Sequence, residues 1–359
     1  IQTESTRAVF PKGLVLEGED VYAWVFSWEE YYAPRALYHL QKEGIRTKVA
    51  TRPFTITHDG RKIDMDFGSI LVHVQTQDHS PERIRELLEE AAQISGIVVY
   101  PVATGLTASG IHLGSGGFSN IEKPSVLLLV GSGVTSSEAG EVWHLLDQRY
   151  RMPVTKVEAA GFRGLNLNRY SVIVMVSGTY GSLDDAAAEA LRAWLRQGGT
   201  LVAIRSANNW LNRQKITEIS YRNHTLRHPE KLPYESMSEY RGARSIPGSI
   251  FRSSLDLTHP LGYGYKRPEL PFFVSGFSAA NPAASPFSNP LLFSRNALWS
   301  GYAYKPYSEL MNGSAGIITS SLGRGTIVSF MDNPNYRAYW FGTNKLFANA
   351  IFFGSIIRN

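Results

Sequence analysis

The fold is decided by the stretch from Tyr170 to Trp210, YSVIVMVSGTYGSLDDAAAEALRAWLRQGGTLVAIRSANNW. Ser171 to Val176 and Leu201 to Ile204 are short apolar runs, as expected of strands that are covered on both faces. The segment between them predicts a helix, because its apolar residues recur at helical spacing. The predicted apolar face consists of Leu183, Ala187, Ala190, Leu191 and Trp194.

Local signals set the ends of this helix. Ser182 is a favourable N-cap, and Asp184 and Asp185 suit the positive N-terminal end of a helix. The pair Gly198–Gly199 predicts the C-terminal end. Two parallel strands joined by a helix make a right-handed crossover, which is the repeating unit of a doubly wound sheet.

Length and composition bound the class of protein. With 359 residues the chain is long for a single core, so two domains are predicted. Hydrophobic residues make up 43% and charged residues 19%, which is typical of a soluble globular protein. No apolar run approaches the roughly 18 residues that a membrane span needs. The net charge of +5 comes without a Lys/Arg run of the kind that follows phosphates, so no nucleic-acid partner is indicated.

The chain contains no cysteine. This excludes a cysteine nucleophile, thiolate metal sites and disulfides. The composition suits an extracytoplasmic protein, either periplasmic or secreted. The sequence begins at Ile1 without a signal-like apolar segment, so we expect a processed product or a fragment of a longer protein.

The order of the elements predicts two α/β domains, at 1–123 and 124–359. The second domain opens with a buried strand at 125–130, contains the unit quoted above, and closes with a hairpin around 323–325 and an apolar helix. Residues 211–245 are polar and aperiodic, which predicts an irregular insertion.

Two segments resemble the class I glutamine amidotransferase-like fold, including its trehalose-utilisation-type relatives. They are residues 170–209, preceded by the strand at 125–130, and residues 325–354 (GTIVSFMDNPNYRAYWFGTNKLFANAIFFG). The resemblance implies that the second domain is a doubly wound, mostly parallel sheet of flavodoxin-like type.

Shorter stretches resemble the C-terminal half of large bacterial zinc carboxypeptidases. They are YAWVF at 22–26, YAPRAL at 32–37, GLT at 105–107, LGS at 113–115 and EVWHLLDQRYRMPVT at 141–155. In that family a zinc peptidase domain comes first and an amidotransferase-like domain lies at the C-terminal end. The resemblance therefore implies an upstream peptidase domain as the partner of this chain.

The resemblance also locates the positions at which an active amidotransferase carries its catalytic residues. The cysteine of that fold stands between small residues on a sharp strand-to-helix elbow. The matching residues are 203–207 (AIRSA), which places Arg205 at the apex, while Asn333 and Asn335 match the histidine and glutamate. Because these residues supply neither a nucleophile nor a base, we expect no glutaminase activity. Ser206 is the alternative nucleophile, for a hydrolase of this fold, although it too needs a base.

A zinc carboxypeptidase needs His-x-x-Glu and a distant second histidine. Residues 79–82 (HSPE) match those four letters. A structural interpretation is favoured, because Ser80 can cap a helix whose first turn contains Pro81 and Glu82. We therefore expect no cofactor in this chain, and zinc only in an upstream catalytic domain.

An elbow without its nucleophile can still bind a ligand, because the loops at the carboxyl ends of the strands converge. Glycine loops at helix starts favour anions, and Arg205 adds a positive charge. We expect a peptide or small carboxylate as the ligand, or alternatively an internal Arg205–Asp332 pair in a crevice that is only packing. The candidate ligand-binding residues are Gly131, Ser132, Gly133, Ser177, Gly178, Arg205, Ser206, Asp332 and Arg337.

These observations predict a non-catalytic accessory region of a zinc metallocarboxypeptidase, which serves peptide processing through binding or positioning. Two alternatives from other classes stay open. One is a Ser206-dependent hydrolase of amidotransferase-like fold. The other is a stand-alone module that binds peptide or carbohydrate, which the many tyrosines of the C-terminal third would suit.

Overall fold

The computed structural model describes residues 10–223 and 232–358, and these residues form two compact units. The first unit contains 10–123 and the short segment 149–152. The second contains 124–148, 153–223 and 232–358. Part of the predicted insertion, 224–231, lies outside the described residues.

The described part of the first unit is an α/β unit with two helices. They are α1 (Ala33–Lys42) and α2 (Pro81–Ser95), which pack against each other. The strands are β1 (Leu14–Val15), β2 (Ala23–Phe26), β3 (Thr47–Ala50), β4 (Phe54–His58), β5 (Arg61–Met65), β6 (Ile70–His73), β7 (Val98–Val102), β8 (Ser109–Gly110) and β9 (Phe118–Ile121). One sheet has the order β1-β7-β2-β6-β3-β9, and a second has the order β5-β4-β8.

The second unit is built on a single large sheet. Its strands are β10 (Val126–Val130), β11 (Val154–Glu158), β12 (Val172–Met175), β13 (Thr200–Ile204), β14 (Ser249–Leu255), β15 (Glu269–Val274), β16 (Leu291–Ser300), β17 (Ala315–Leu322) and β18 (Gly325–Phe330). Its helices are α3 (Ser136–Trp143), α4 (Asp185–Arg196), α5 (Ala207–Arg213), α6 (Met237–Gly242), α7 (Lys305–Met311) and α8 (Asn344–Phe353). Apolar side chains of β10, β12 and β13 share one buried cluster with those of α4.

The topology of this sheet confirms the predicted fold class. The strands β11-β10-β12-β13-β18 are parallel neighbours, and counted along the chain their order is 2-1-3-4-5, that of the flavodoxin-like doubly wound fold. Beyond β18 the sheet continues through β17, β16, β14 and β15, which pair antiparallel. This antiparallel extension makes the sheet more mixed than the sequence pattern indicated.

The helix of the crossover begins later than predicted. Asp184, not Ser182, is the N-cap of α4, because its carboxylate accepts a hydrogen bond from the backbone N–H of Ala187 at 3.0 Å. The buried face is also rotated relative to the prediction. Ala190 is exposed, and the buried residues of α4 are Ala187, Ala188, Leu191, Trp194 and Leu195.

Helix α3 is α-helical only from Ser136 to Trp143, and 144–149 continue it as a π-helix. One other predicted boundary differs from the structure. The segment expected to be irregular from Leu211 onward begins inside α5, and it also contains α6. No helix in the described ranges is both long and apolar enough to cross a membrane.

Gly199 gives a test of the crossover packing. A side-chain carbon at this residue would overlap the indole of Trp194, which is 4% exposed. We expect Gly199→Ala to lower the free energy of unfolding by about 1–3 kcal/mol, because neither α4 nor β13 can move away cheaply. Urea unfolding followed by tryptophan fluorescence measures this change.

Gly181→Ala is the matched control, because an added carbon there has nothing within 4 Å. Its effect should stay within about 0.5 kcal/mol. Equal losses in the two variants would show that Gly199 is not held against Trp194.

Candidate binding cleft

The centre of the site is Arg205, the first residue after β13. Its φ of 51° is a left-handed conformation that costs energy for a residue with a side chain. The turn is held because the backbone N–H of Arg205 donates to the carbonyl of Phe330 at 2.9 Å. The side-chain amide of Asn208 donates to the carbonyls of Arg205 and Phe330 at 3.1 and 3.0 Å. A sharp strand-to-helix elbow therefore exists here, with an arginine at its apex.

The guanidinium of Arg205 lies between two buried carboxyl groups. Its Nη1 donates to Glu138 Oε1 at 3.1 Å, and its Nε lies 3.6 Å from Asp332 Oδ1. Its Nη2 donates to the carbonyl of Ser275 at 2.5 Å. The Arg205 side chain is 31% exposed, whereas each acidic side chain is 7% exposed. The Arg205–Asp332 pair that the sequence offered as an alternative is present, with Glu138 as an additional partner.

Backbone N–H groups complete the coordination of both acids. Ser177 N–H donates to Glu138 Oε2 at 2.8 Å. Asp332 Oδ2 accepts from Ser275 N–H at 2.9 Å, and its Oδ1 accepts from Asn333 N–H at 2.7 Å. Each carboxylate oxygen therefore has a donor, which is what makes two buried acids tolerable beside one cation.

Asp332 titrates far from its ordinary range. Burial raises the pKa of its carboxyl from 3.8 to about 7, although Arg205 and the two backbone N–H groups act in the opposite direction. The negative charge of Glu138 raises this pKa further. Near neutral pH, Asp332 therefore exchanges between its charged and uncharged forms while it touches the guanidinium.

Glycine at 276 is required by this arrangement. Its φ is +120°, and a side-chain carbon there would lie 2.5 Å from Arg205 Nη2. The extended arginine therefore occupies the space that a larger residue at 276 would need.

Asn333 and Asn335, which the resemblance matched to a histidine and a glutamate, serve as structural links. The Asn333 side chain donates to Glu141 Oε2 on α3, and its Oδ1 accepts from Asn335 N–H at 2.9 Å. The Asn335 side-chain oxygen accepts from the Asn344 amide on α8 at 3.0 Å. Both are buried, so these side chains fix the loop after β18 to its neighbouring helices.

A cleft of about 580 Å³ opens over Arg205. A second groove of about 420 Å³ shares three of its lining residues, Thr135, Ser206 and Asn209. Hydroxyl and amide side chains predominate, together with the aromatic ring of Phe277. Two hydroxyls of the cleft lining, Ser177 Oγ and Tyr221 Oη, are buried and have no hydrogen-bond partner among residues 10–223 and 232–358. Such groups normally find a partner in water or in a ligand.

The structure brings together most of the predicted site residues. Ser177, Arg205, Ser206 and Asp332 line the cleft, and Gly133 and Gly178 line the adjoining groove.

Three of the predicted residues lie elsewhere. Gly131 faces a separate small groove with Trp143 and Lys156. Ser132 and Arg337 are not among the described lining residues of the cleft or groove. The side chain of Arg337 instead lies 5.3 Å from the ring centroid of Tyr336.

The sequence did not identify Glu138, Tyr221 or Phe277 as residues of the cleft. Glu138 lies in the first turn of α3, where an acid is usually explained by the helix N-terminus. The position of Glu138 could have indicated its role. It follows the loop after β10, and the doubly wound fold brings that loop to the same edge of the sheet as the elbow.

The remaining candidates have structural partners. Ser206 Oγ accepts from Gly178 N–H at 3.0 Å, and no histidine is among the described residues that line the cleft. His79 Nε2 lies 2.8 Å from the carbonyl oxygen of Glu43. Ser80 caps α2 as predicted, by accepting a hydrogen bond from Arg83 N–H. Within 10–223 and 232–358, no cluster of three or more acidic or histidine side chains is placed to hold a metal ion.

The chain has remote likenesses among solved structures. A cytoplasmic protein from Salmonella typhimurium shares 12% identity at a TM-score of 0.40, over 64% of this chain and 99% of that one. A ThuA-like protein from Bacteroides uniformis shares 11% identity at a TM-score of 0.40, over 63% of this chain and 89% of that one. A β-galactosidase from Bacillus circulans shares 12% identity at a TM-score of 0.38, over 76% of this chain and 35% of that one. No family model and no curated protein sequence matches the chain.

Asp332 should give the stability of the protein a characteristic pH dependence. Folded Asp332 keeps its proton up to about pH 7, whereas an unfolded aspartate loses it near pH 4, so the native state binds more protons between these values. The contribution of Asp332 to stability is therefore complete below about pH 4 and is lost as the pH rises to about 7. Urea unfolding at a series of pH values measures this slope.

Asp332→Asn should flatten the slope between about pH 4 and 7, because the amide does not titrate. Its absolute stability should fall, since one accepting oxygen becomes an amide that faces an N–H donor. Asp185→Asn, at an exposed carboxylate of α4, is the control and should keep the wild-type slope. An unchanged slope in Asp332→Asn would contradict the assignment.

Proposed function

We propose that this chain is a non-catalytic accessory region that binds a ligand in the cleft over Arg205. The observation that carries this proposal is the elbow itself, which holds a guanidinium where an amidotransferase of this fold holds its nucleophile. An arginine cannot attack a carbonyl group, but it recognises oxygen atoms well. The geometry therefore supports recognition without bond cleavage.

The guanidinium has capacity for a ligand. Its contacts with Glu138, Asp332 and Ser275 engage three of the five N–H bonds that an arginine carries. The other two are on the terminal nitrogens of a side chain that is one-third exposed and lines the cleft. We propose a small carboxylate or a peptide C-terminus as the ligand, because a carboxylate matches the spacing of guanidinium donors.

We place this region in a zinc metallocarboxypeptidase, where it would serve peptide processing by binding or positioning the peptide. This part of the proposal is supported by the sequence stretches between residues 22 and 155 that resemble that family. It implies an upstream peptidase domain that holds the zinc ion, and an extracytoplasmic location. An upstream reading frame with His-x-x-Glu and a distant histidine would support it, and a frame without them would contradict it.

A stand-alone carbohydrate- or peptide-binding module is the second candidate. The hydroxyl and amide lining of the cleft favours it, and so does Phe277, which stacks on Tyr307 with ring centroids 4.3 Å apart. Stacked rings beside polar groups are typical of surfaces that recognise sugars and peptides. The Ser206 hydrolase is supported less well, because Ser206 Oγ is hydrogen-bonded to the backbone of Gly178. Labelling of Ser206 by a fluorophosphonate would revive it.

Binding at Arg205 can be tested with N-acetylglycine, a minimal mimic of a peptide C-terminus. We expect Arg205→Gln to weaken binding at least tenfold, because a charge-assisted hydrogen bond is lost. Arg205→Lys should weaken binding less, because lysine keeps the positive charge although it lacks the paired N–H donors of a guanidinium. Titration calorimetry at about pH 6, with circular dichroism to verify folding, measures both effects.

Arg324→Gln is the control, because Arg324 lies in the turn before β18, at the opposite end of the parallel strands. It should bind as the wild type does. Equal binding by the wild type and Arg205→Gln would contradict the proposed site. The purified chain should also cleave no carboxypeptidase substrate with or without added zinc, and chelator-sensitive cleavage would contradict the accessory role.

A further inference from the structure

We propose that Asp332 is a specificity-determining residue of the cleft: a carboxylate ligand binds Arg205 only together with a proton, which Asp332 takes up. This inference rests on the proposed binding function. It adds a rule about the charge of the ligand that the cleft accepts.

The charge balance around Arg205 is the reason. One guanidinium already faces two buried carboxyl groups, at 3.1 Å from Glu138 and 3.6 Å from Asp332. A ligand carboxylate would be the third acid around a single cation, in a site where burial weakens solvent screening. Repulsion among the three acids around this guanidinium then favours a neutral form of one of them, and the bound state contains one more proton than the free state whenever both resident acids start ionised.

The contacts of the two acids decide which of them takes the proton. Glu138 receives the shorter contact from Arg205, and its other oxygen accepts from Ser177 N–H at 2.8 Å. Asp332 is the more weakly paired, at 3.6 Å from Nε. Burial already raises the pKa of Asp332 to about 7, so its protonation near neutral pH costs little.

Asp332 is also placed to share its proton with the ligand, because it lines the cleft. A protonated carboxyl donates a hydrogen bond that an incoming carboxylate can accept. Two acids that share one proton in this way avoid the repulsion between two carboxylates. The step transfers one proton from solvent to the carboxyl group of Asp332, and no covalent bond other than O–H forms or breaks.

The other charged groups near Asp332 have contacts of their own. From α3, Glu141 is bound by the side chain of Asn333 and by the backbone N–H of Arg337. Arg222, which also lines the cleft, directs its guanidinium to Asn281 and to the carbonyls of Leu310, Asn312 and Gly313. The charges that act on the carboxyl of Asp332 are those of Arg205 and Glu138. Burial also raises the pKa of Glu141, so the Asp332→Asn variant is needed to distinguish the two acids.

The test compares N-acetylglycine with N-acetylglycinamide, which has the same shape but no charge. The carboxyl of N-acetylglycine is ionised at about pH 6 and at about pH 8. We expect its association constant to fall about tenfold between these pH values, because the protonated fraction of a group that titrates near 7 falls by that factor. The amide should bind equally at both.

Calorimetry in phosphate and in Tris buffer, which differ in ionisation enthalpy, counts the protons directly. We expect an uptake close to one proton per N-acetylglycine at about pH 8, and none for the amide. Asp332→Asn should bind N-acetylglycine with no proton uptake and no pH dependence. The exposed-site control, Asp185→Asn, should behave as the wild type does.

The wild type could bind N-acetylglycine equally at both pH values and without proton uptake. This result would overturn the role of Asp332 and leave the binding site in place. Proton uptake that persists in a folded Asp332→Asn variant would assign the proton to another group and overturn the inference. If neither ligand binds the wild type at either pH, the proposed binding function fails together with the inference.

Discussion

The second unit depends on one electrostatic constraint: a single arginine at the apex of a strained turn is shared by two buried acids. Arg205 joins three parts of the unit, because Glu138 belongs to α3, Asp332 follows β18, and the carbonyl of Ser275 follows β15. Removing Arg205 would leave two buried acids without their cation. The cluster therefore fixes the shape of the cleft as well as its charge.

The elbow shows that a backbone geometry can persist without the chemistry for which related folds use it. The left-handed turn at Arg205 is held by the carbonyl of Phe330 and by the amide of Asn208. Neither contact depends on which side chain stands at the apex. Asn333 and Asn335 form hydrogen-bond links between the loop after β18 and two helices. The same architecture thus holds an arginine over a cleft whose walls are fixed by hydrogen bonds.

The sequence predicted the features that are local and periodic. The strands and helix from Tyr170 to Trp210 could be read because two short apolar runs are separated by one amphipathic segment. The exact N-cap of α4 could not be predicted, since Ser182 and Asp184 have equivalent capping chemistry and only the path of the backbone selects Asp184. The antiparallel strand β14 was missed, although its residues alternate between more and less buried positions. Glu138 was missed because its role depends on a contact with Arg205, which is distant in sequence.

Gly276 is distant from Arg205 in sequence but lies against its guanidinium. Its positive φ and its closeness to Nη2 mean that the extended guanidinium and a residue without a side chain are a matched pair. The positive φ favours glycine whichever residue stands at the elbow, and the guanidinium adds a steric reason for it. The combination of arginine at the elbow, glycine after β15, and acids at the positions of Glu138 and Asp332 is therefore a four-residue signature. It marks sequences in which the same charged cluster around an elbow arginine can form.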